Sequence, residues 1–271
     1  MPELPEVETV RRGLMPHIVG HRLRGARVRH PQLRWPVPAK LDSLIKGQRI
    51  GALERRGKYL ILQLENGGLL LHLGMSGSLR LVDAGTPPEK HDHVDLLLDS
   101  GQALRLRDPR RFGAVLWCEE PASHPLLTSL GIEPLERGFD GASLHALTRG
   151  RSTAIKHLIM DAHVIVGVGN IYANEALFQA GIRPTLRADK LSRPRCDRLA
   201  AAIKDTLRRA IKAGGSTLRD FVNGHGEPGY FQQSYFVYGR AGEPCRRCGA
   251  PIKLLRQANR ATYYCPRCQK N

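Results

Sequence analysis

The sequence predicts a multidomain α+β protein: a helix and a β-sandwich or barrel, then a helical segment, then a cysteine-bearing β-hairpin. Three observations carry that prediction. Strand-length apolar runs separated by turn residues fill the chain up to about residue 118. The pattern changes to helical periodicity after about Pro134. Four cysteines near the C-terminus fall into two Cys-x2-Cys pairs.

The first element is a helix from Pro2 to about Val19, in which Leu4, Val7, Val10, Leu14 and Ile18 recur at three- and four-residue spacing. Pro5 is compatible with its first turn, where no backbone donor is needed. Seven strands are expected next: Leu23–Arg29, Tyr59–Leu64, Leu69–Leu73, Ser78–Val82, Val94–Leu98, Ala103–Arg107 and Ala114–Cys118. Asn66-Gly67-Gly68 and Asp99-Ser100-Gly101 supply the turn chemistry between them. Helices follow over Ala142–Thr148, Thr153–Met160, Ile171–Ala180 and Arg195–Ala213, the last with Ser192 as a cap and Gly214-Gly215 as its stop. The run from Val164 to Asn170 is a glycine-rich turn between two helices. Such a turn either offers backbone N–H groups to a phosphate or only lets two helices pack closely. Gly214 to about Gly229, rich in Gly, Asn, His and Pro, is a loop candidate.

Cys245-x2-Cys248 and Cys265-x2-Cys268 are separated by sixteen residues, a spacing that suits one tetrahedral zinc ion. The intervening segment can return as a β-hairpin carrying Lys253, Arg256 and Arg260, with Tyr263 and Tyr264 on the return strand and Arg246 and Arg267 inside the pairs. It is either a purely structural zinc ribbon or a basic hairpin for a phosphate backbone. Cys118 and Cys196 have no activating motif around them and read as plain thiols. The chain of 271 residues has a formal charge of +17, which favours a polyanionic partner. No apolar run approaches the roughly 18 residues of a membrane span, and no apolar signal core opens the chain, so a cytosolic protein is expected.

The N-terminus reads Met1-Pro2-Glu3-Leu4-Pro5-Glu6-Val7-Glu8. Removal of the initiator Met ahead of proline would leave a free secondary amine, which titrates well below a lysine. Such an amine can attack a sugar C1′, open the ring and form an iminium ion that acts as an electron sink. Glu3 and Glu6 are close enough to serve proton transfers. The same residues also suit an ordinary helix start, with proline in the first turn and acids at the positive end of the dipole.

Several further segments bear on that choice: Arg56-Gly57-Lys58-Tyr59-Leu60, His72-Leu73-Gly74-Met75-Ser76-Gly77, Asp108-Pro109-Arg110-Arg111-Phe112-Gly113 and Gly167-Val168-Gly169-Asn170-Ile171-Tyr172-Ala173. With the N-terminus and the cysteine quartet they run from residue 1 to residue 268, and the chain resembles the bacterial formamidopyrimidine-DNA glycosylases throughout. The resemblance implies an N-terminal helix plus β-sandwich over residues 1–133. A helical helix–two-turns–helix domain, with a lesion-binding loop at about Gly214–Gly229, would span 134–234. A zinc finger with one structural Zn2+ on Cys245, Cys248, Cys265 and Cys268 would span 235–271.

It also implies a bifunctional glycosylase/AP lyase acting on 8-oxoguanine and formamidopyrimidines in damaged duplex DNA, held in a basic cleft. Pro2 would be the nucleophile, with Glu3 its acid/base partner and Glu6 supporting the geometry. Lys58 would contact phosphate beside the lesion. His72, Asn170 and Arg260 would clamp flanking phosphates, with Lys58 and Arg260 counted among the catalytic groups. Met75, Arg110 and Phe112 would fill the gap left by the extruded nucleotide, since extrusion costs stacking that an apolar wedge can replace. Without the resemblance, Met75 and Phe112 read as core residues. Arg111 and Lys156 are counted with the DNA-binding residues. The loop's backbone, with Ser216 and Thr217, would read the base. A monomer, cytoplasmic in a bacterium and nucleoid-associated through DNA, is the corresponding expectation.

Two alternatives stay open at this level. One is the sister endonuclease VIII type, which prefers oxidised pyrimidines; its usual opening has Gly where this chain has Leu4, and it lacks a match to the Arg110–Phe112 wedge. The other is a non-catalytic zinc-containing DNA-binding protein, against which the intact Pro2-Glu3 pair argues.

Overall fold

The computed structural model describes residues 2–216 and 231–271. These form two compact units. The first holds described residues 2–129 and 213–216, the second 130–212 and 231–271.

The first unit opens with helix α1, Leu4–Ile18, whose buried stripe of Leu4, Val7, Val10, Leu14 and Ile18 follows the expected spacing. Eight strands follow: β1 (Leu23–Val28), β2 (Ile50–Arg56), β3 (Tyr59–Leu64), β4 (Gly67–His72), β5 (Ser78–Asp83), β6 (Asp92–Leu98), β7 (Gln102–Arg107) and β8 (Ala114–Cys118). They pair antiparallel in two four-stranded sheets, ordered β1-β6-β7-β5 and β2-β3-β4-β8. Leucines and valines of both sheets, among them Leu79, Val94, Leu96 and Leu104 of one and Leu60, Leu62, Leu69 and Leu71 of the other, share one core with α1. The β-sandwich is therefore closed by a helix that packs on β2 and β3. Strand β2 was not predicted from the sequence. A register shift between Ile50 and Ala52 breaks its alternation, and its second half, Glu54-Arg55-Arg56, is polar because β2 lies at a sheet edge. Two short helices, α2 (Leu41–Ile45) and α3 (Pro125–Thr128), also escaped the sequence reading.

The second unit contains α4 (Gly141–Thr148), α5 (Ile155–Met160), α6 (Asn170–Ala180) and α7 (Arg193–Lys212). Each lies within two residues of its predicted bounds. Helix α7 is amphipathic, burying Cys196, Leu199, Ile203, Leu207 and Ala210. It starts directly after Ser192, and Gly214 and Gly215 beyond it take positive φ. Helix α6 is buried on nearly every side, from Ile171 to Phe178. The glycine-rich segment before it is the connection from α5. The chain closes with the expected hairpin of β9 (Lys253–Gln257) and β10 (Arg260–Tyr264), which packs on α6. Among the described residues no helix is long and apolar enough to cross a membrane.

Candidate active site and nucleic-acid interface

In the first unit the N-terminal turn of α1 is held by buried carboxylates. Glu3 is 2% exposed and Glu6 fully buried. Glu6 Oε2 accepts the Glu3 N–H at 2.8 Å, and Oε1 accepts the Ser216 N–H at 2.8 Å. One side chain thus ties the residue after Pro2 to Ser216, just beyond the Gly214-Gly215 pair. Gly215 sits against it at φ +80°, where an added Cβ would lie 3.1 Å from Glu6 Oε1, so a side chain there would strain both.

One turn further along α1, Glu8 is gripped by three arginines. Arg11 and Arg12 reach Oε1 at 2.9 and 2.7 Å, and Arg55 reaches Oε2 at 3.0 Å. Burial opposes the charge, but the three guanidinium groups win and bring the Glu8 carboxyl down to about 2. Arg55 also donates to the Gly57 carbonyl at 3.1 Å. The α1 end that carries Pro2 and Glu3 is thereby joined to the β2–β3 turn that carries Lys58.

Sheet register gathers the next groups. Tyr59, His72 and Ala114 lie abreast across β3, β4 and β8. Lys58, the Leu73–Gly77 segment and the Arg110–Gly113 turn therefore leave the same edge of the sheet. His72 Nδ1 accepts the Gly74 N–H at 2.9 Å, which places the neutral ring's proton on Nε2 as a donor. Burial, then the charges of Lys58 and Arg34, push His72 down to about 4. The imidazole is neutral at pH 7 and sits in a positive field.

Met75 and Phe112 are 39% and 45% exposed, so neither is a core residue. Their two loops meet at Gly74, where φ is +64° and an added Cβ would lie 2.5 Å from the Phe112 carbonyl carbon. Arg110 stacks over Phe112, its guanidinium carbon 5.1 Å from the ring centroid. Both loops are pinned by the buried Asp108. Its carboxylate accepts from the Gly113 N–H at 2.7 Å, the Arg110 N–H at 3.2 Å and the Ser76 hydroxyl at 3.2 Å. Arg111, in left-handed backbone at φ 58°, turns its guanidinium onto His30. Arg34, His72, Gly74, Met75 and Phe112 line a cavity of about 410 Å³. Arg34 was missed by the sequence reading; the only signal was an arginine in a loop otherwise rich in proline.

In the second unit Asn170 is the first residue of α6 and stands at its N-terminus. Arg260 opens β10 and is exposed, after a two-residue turn in which Ala258 and Asn259 both take positive φ. Lys156 requires a correction. It was expected to reach DNA, but it is 1% exposed, and its ammonium donates to the Ala261 carbonyl at 2.9 Å and the Thr262 hydroxyl at 2.7 Å. It braces the hairpin from inside, because a buried ammonium must be satisfied by nearby acceptors. Glu175 is a second residue that the sequence did not single out. Its carboxylate accepts the N–H groups of Phe236, Val237 and Tyr238 at 2.8–3.0 Å, fastening the segment that leads into the hairpin. Burial nonetheless pushes its pKa up.

The four hairpin cysteines converge, with all Sγ atoms within 4.8 Å of one another. Cys245 and Cys268 lie 3.9 Å apart, and Cys248 and Cys265 3.5 Å. A tetrahedron with zinc–sulfur bonds of about 2.3 Å has edges of about 3.8 Å, so the quartet fits one structural zinc ion. Backbone N–H groups of Arg247 and Cys268 point at Cys245 and Cys265 Sγ at 3.4 Å, which suits thiolates. Cys118 and Cys196 are buried, and burial raises both thiols, consistent with plain packing roles. The expected base-reading loop lies outside the described residues except for Gly214, Gly215 and Ser216.

A helix-closed sandwich, a helical unit and a four-cysteine hairpin carrying an exposed arginine define a zinc-containing protein with a basic interface. Comparison with known families matches the formamidopyrimidine-DNA glycosylase N-terminal domain over residues 1–115, the H2TH domain of the same enzymes over 130–222, and a zinc finger found in FPG and IleRS over 242–271. The chain is 60% identical to the formamidopyrimidine-DNA glycosylase of Stutzerimonas stutzeri and 58% identical to that of Pseudomonas aeruginosa, with all of each chain covered. Its structure resembles that of the MutM (Fpg) protein of Thermus thermophilus, with a TM-score of 0.88 at 39% identity over 99% of this chain and 98% of that one. It also resembles a Lactococcus lactis Fpg mutant in complex with Fapy-dG-containing DNA, with a TM-score of 0.91 at 35% identity over the whole of both chains. The chain belongs to the formamidopyrimidine-DNA glycosylase family.

Proposed function

We propose that this chain is a base-excision-repair DNA glycosylase with AP lyase activity that removes oxidised purines from duplex DNA. The observation that carries the reading is Pro2 followed directly by the buried Glu3, with the turn locked by Glu6. Full-length identity of 60% to a formamidopyrimidine-DNA glycosylase supports it.

Once Met1 is removed, the Pro2 nitrogen attacks C1′ of the damaged nucleotide and the glycosidic bond breaks. Glu3 delivers a proton to the ring oxygen as the ring opens to an iminium ion. Loss of a C2′ proton then expels the 3′ phosphate, and a second elimination expels the 5′ phosphate. The product is a one-nucleotide gap with phosphate on both ends. Lys58 binds phosphate beside the lesion, and the neutral His72 Nε2–H, Asn170 and Arg260 bind the flanking phosphates. Met75 and Phe112 replace the lost stacking, and Arg110 offers its donors to the widowed cytosine. Zinc holds the hairpin that presents Arg260. The working assignment of domains remains 1–133, 134–234 and 235–271, in a monomer acting on the nucleoid.

A Lactococcus lactis Fpg has been seen with DNA containing an oxidised pyrimidine, so such lesions belong in the test. Cleavage of duplexes carrying 8-oxoguanine or thymine glycol is compared for the wild type and Pro2→Gly. Faster cleavage of 8-oxoguanine by the wild type and loss of both activities in the variant are expected. Preference for thymine glycol would favour an endonuclease VIII-type activity. Undiminished cleavage by Pro2→Gly would remove Pro2 as the nucleophile.

A further inference from the structure

The phosphate-binding roles proposed for Asn170 and Arg260 place them on different elements, a helix N-terminus and a hairpin. A buried side chain joins those elements. Asn174 is fully buried one turn into α6. Its Nδ2 donates to the Asn170 carbonyl at 2.6 Å and lies 3.4 Å from Asn170 Oδ1. Its Oδ1 accepts the Tyr263 N–H from β10 at 2.8 Å.

The pairing of the hairpin explains why these atoms meet. With a two-residue turn, Gln257 and Arg260 form the first pair, and the backbone groups of alternate residues beyond it, Ala261 and Tyr263, point away from β9. Buried groups of that kind must find partners. The Ala261 carbonyl finds Lys156, and the Tyr263 N–H finds Asn174. Thr262 adds its hydroxyl to Lys156. Three consecutive residues after Arg260 are thus fixed to α5 and α6, and one of the two anchors also touches Asn170.

The second consequence concerns the Asn170 side chain. Asn174 presents a donor to its Oδ1, which leaves the Asn170 NH2 as the group turned away from Asn174. An NH2 is the half of an amide that an anion can use.

We propose that Asn174 is a positioning residue that couples the two phosphate-binding groups. It orients the Asn170 amide so that its NH2 serves an anion, and it sets the place of Arg260 by holding β10 through Tyr263. The proposal rests on the DNA-binding reading above and deepens it.

The test uses full-length, zinc-loaded protein and a duplex containing a tetrahydrofuran abasic analogue. Dissociation constants are measured for the wild type, Asn174→Ala, Asn170→Ala and the double variant across a range of salt. Loss of a buried hydrogen-bond junction is expected to weaken binding by about tenfold for Asn174→Ala. In the Asn170→Ala background the further loss should be less than about threefold, since part of the effect is already gone. The slope of log Kd on log salt should also fall by about 1, because Arg260 no longer meets its phosphate. A merely structural role would lower the melting temperature without producing either signature. If Asn174→Ala does not retain full zinc, Asn174→Ser is read by the same criteria. Additive losses, an unchanged salt slope, or wild-type affinity in the zinc-loaded variant would each overturn the proposal. Cleavage of an 8-oxoguanine duplex by the same wild-type preparation separates the two claims: its absence counts against the proposed activity, whereas the binding cycle judges Asn174 alone.

Discussion

Asp108 holds together the two loops that present Met75, Arg110 and Phe112, so replacing it with alanine tests how those residues are displayed. Three acceptor contacts are lost: to the Gly113 N–H at 2.7 Å, the Arg110 N–H at 3.2 Å and the Ser76 hydroxyl at 3.2 Å. The bond to Gly113 is short, buried and charge-assisted, and losing one of that kind costs about 2 kcal/mol. Arg110 is exposed and its N–H can turn to water, while Ser76 is buried; together the two longer bonds add about 1 kcal/mol. The His93 contact goes to the Asp108 carbonyl and survives. A total of about 3 kcal/mol corresponds to a fall of roughly 6–12 °C in Tm for a unit of this size. Thermal unfolding followed by circular dichroism reads that fall directly. Because both loops are released together, cleavage of an 8-oxoguanine duplex should drop more than about tenfold at a temperature where the variant is still folded. A Tm within a degree or so of the wild type, or a lowered Tm with undiminished cleavage, would show that Asp108 does not hold these loops in their working position.

Three other outcomes follow from the geometry. The Glu8 carboxyl is brought from 4.5 to about 2, so its contribution is full above pH 4.5 and is lost as the pH falls toward 2; Glu8→Gln should flatten the acid limb of the stability curve over that window. Stripping the metal with a chelator should unfold the hairpin, whose four thiols share a small core with Phe178, Val237 and Ile252, and should abolish DNA binding while the β-sandwich signal persists. Ala258 sits at φ 45° in the hairpin turn, so Ala258→Gly should raise resistance to chelator-induced unfolding by about 1 kcal/mol.

Much of this was legible because the relevant signals are local. The α1 stripe, the turn residues between strands, the glycines after α7 and each Cys-x2-Cys pair are patterns written within a short stretch of sequence, whatever they later pack against. The rest depends on distant partners. Strand β2 hides behind a bulge and an edge position that allow a charged second half. Lys156 reads as a surface cation in a short helix, and only the tertiary fold supplies the Ala261 and Thr262 acceptors, more than a hundred residues away, that make it a buried brace. Glu175 looks like an ordinary acid in sequence, and its role comes from the Phe236, Val237 and Tyr238 N–H groups more than sixty residues away; Asp108 takes two N–H donors from its own turn, but its link to Ser76, 32 residues back, exists only in three dimensions. Met75 and Phe112 show the reverse case. Composition alone would bury them, yet they stand exposed because Gly74 lets two loops close together beneath them.

The proposed chemistry requires Pro2 to form a covalent bond to the sugar of a damaged nucleotide. Borohydride trapping on a duplex with one 8-oxoguanine opposite cytosine, followed by intact-mass and peptide mapping of the adduct, tests it most directly. A cross-linked complex that maps to Pro2, in protein lacking Met1, is the expected result. No adduct and no strand cleavage from zinc-loaded protein lacking Met1 would contradict it and leave a DNA-binding protein without this chemistry.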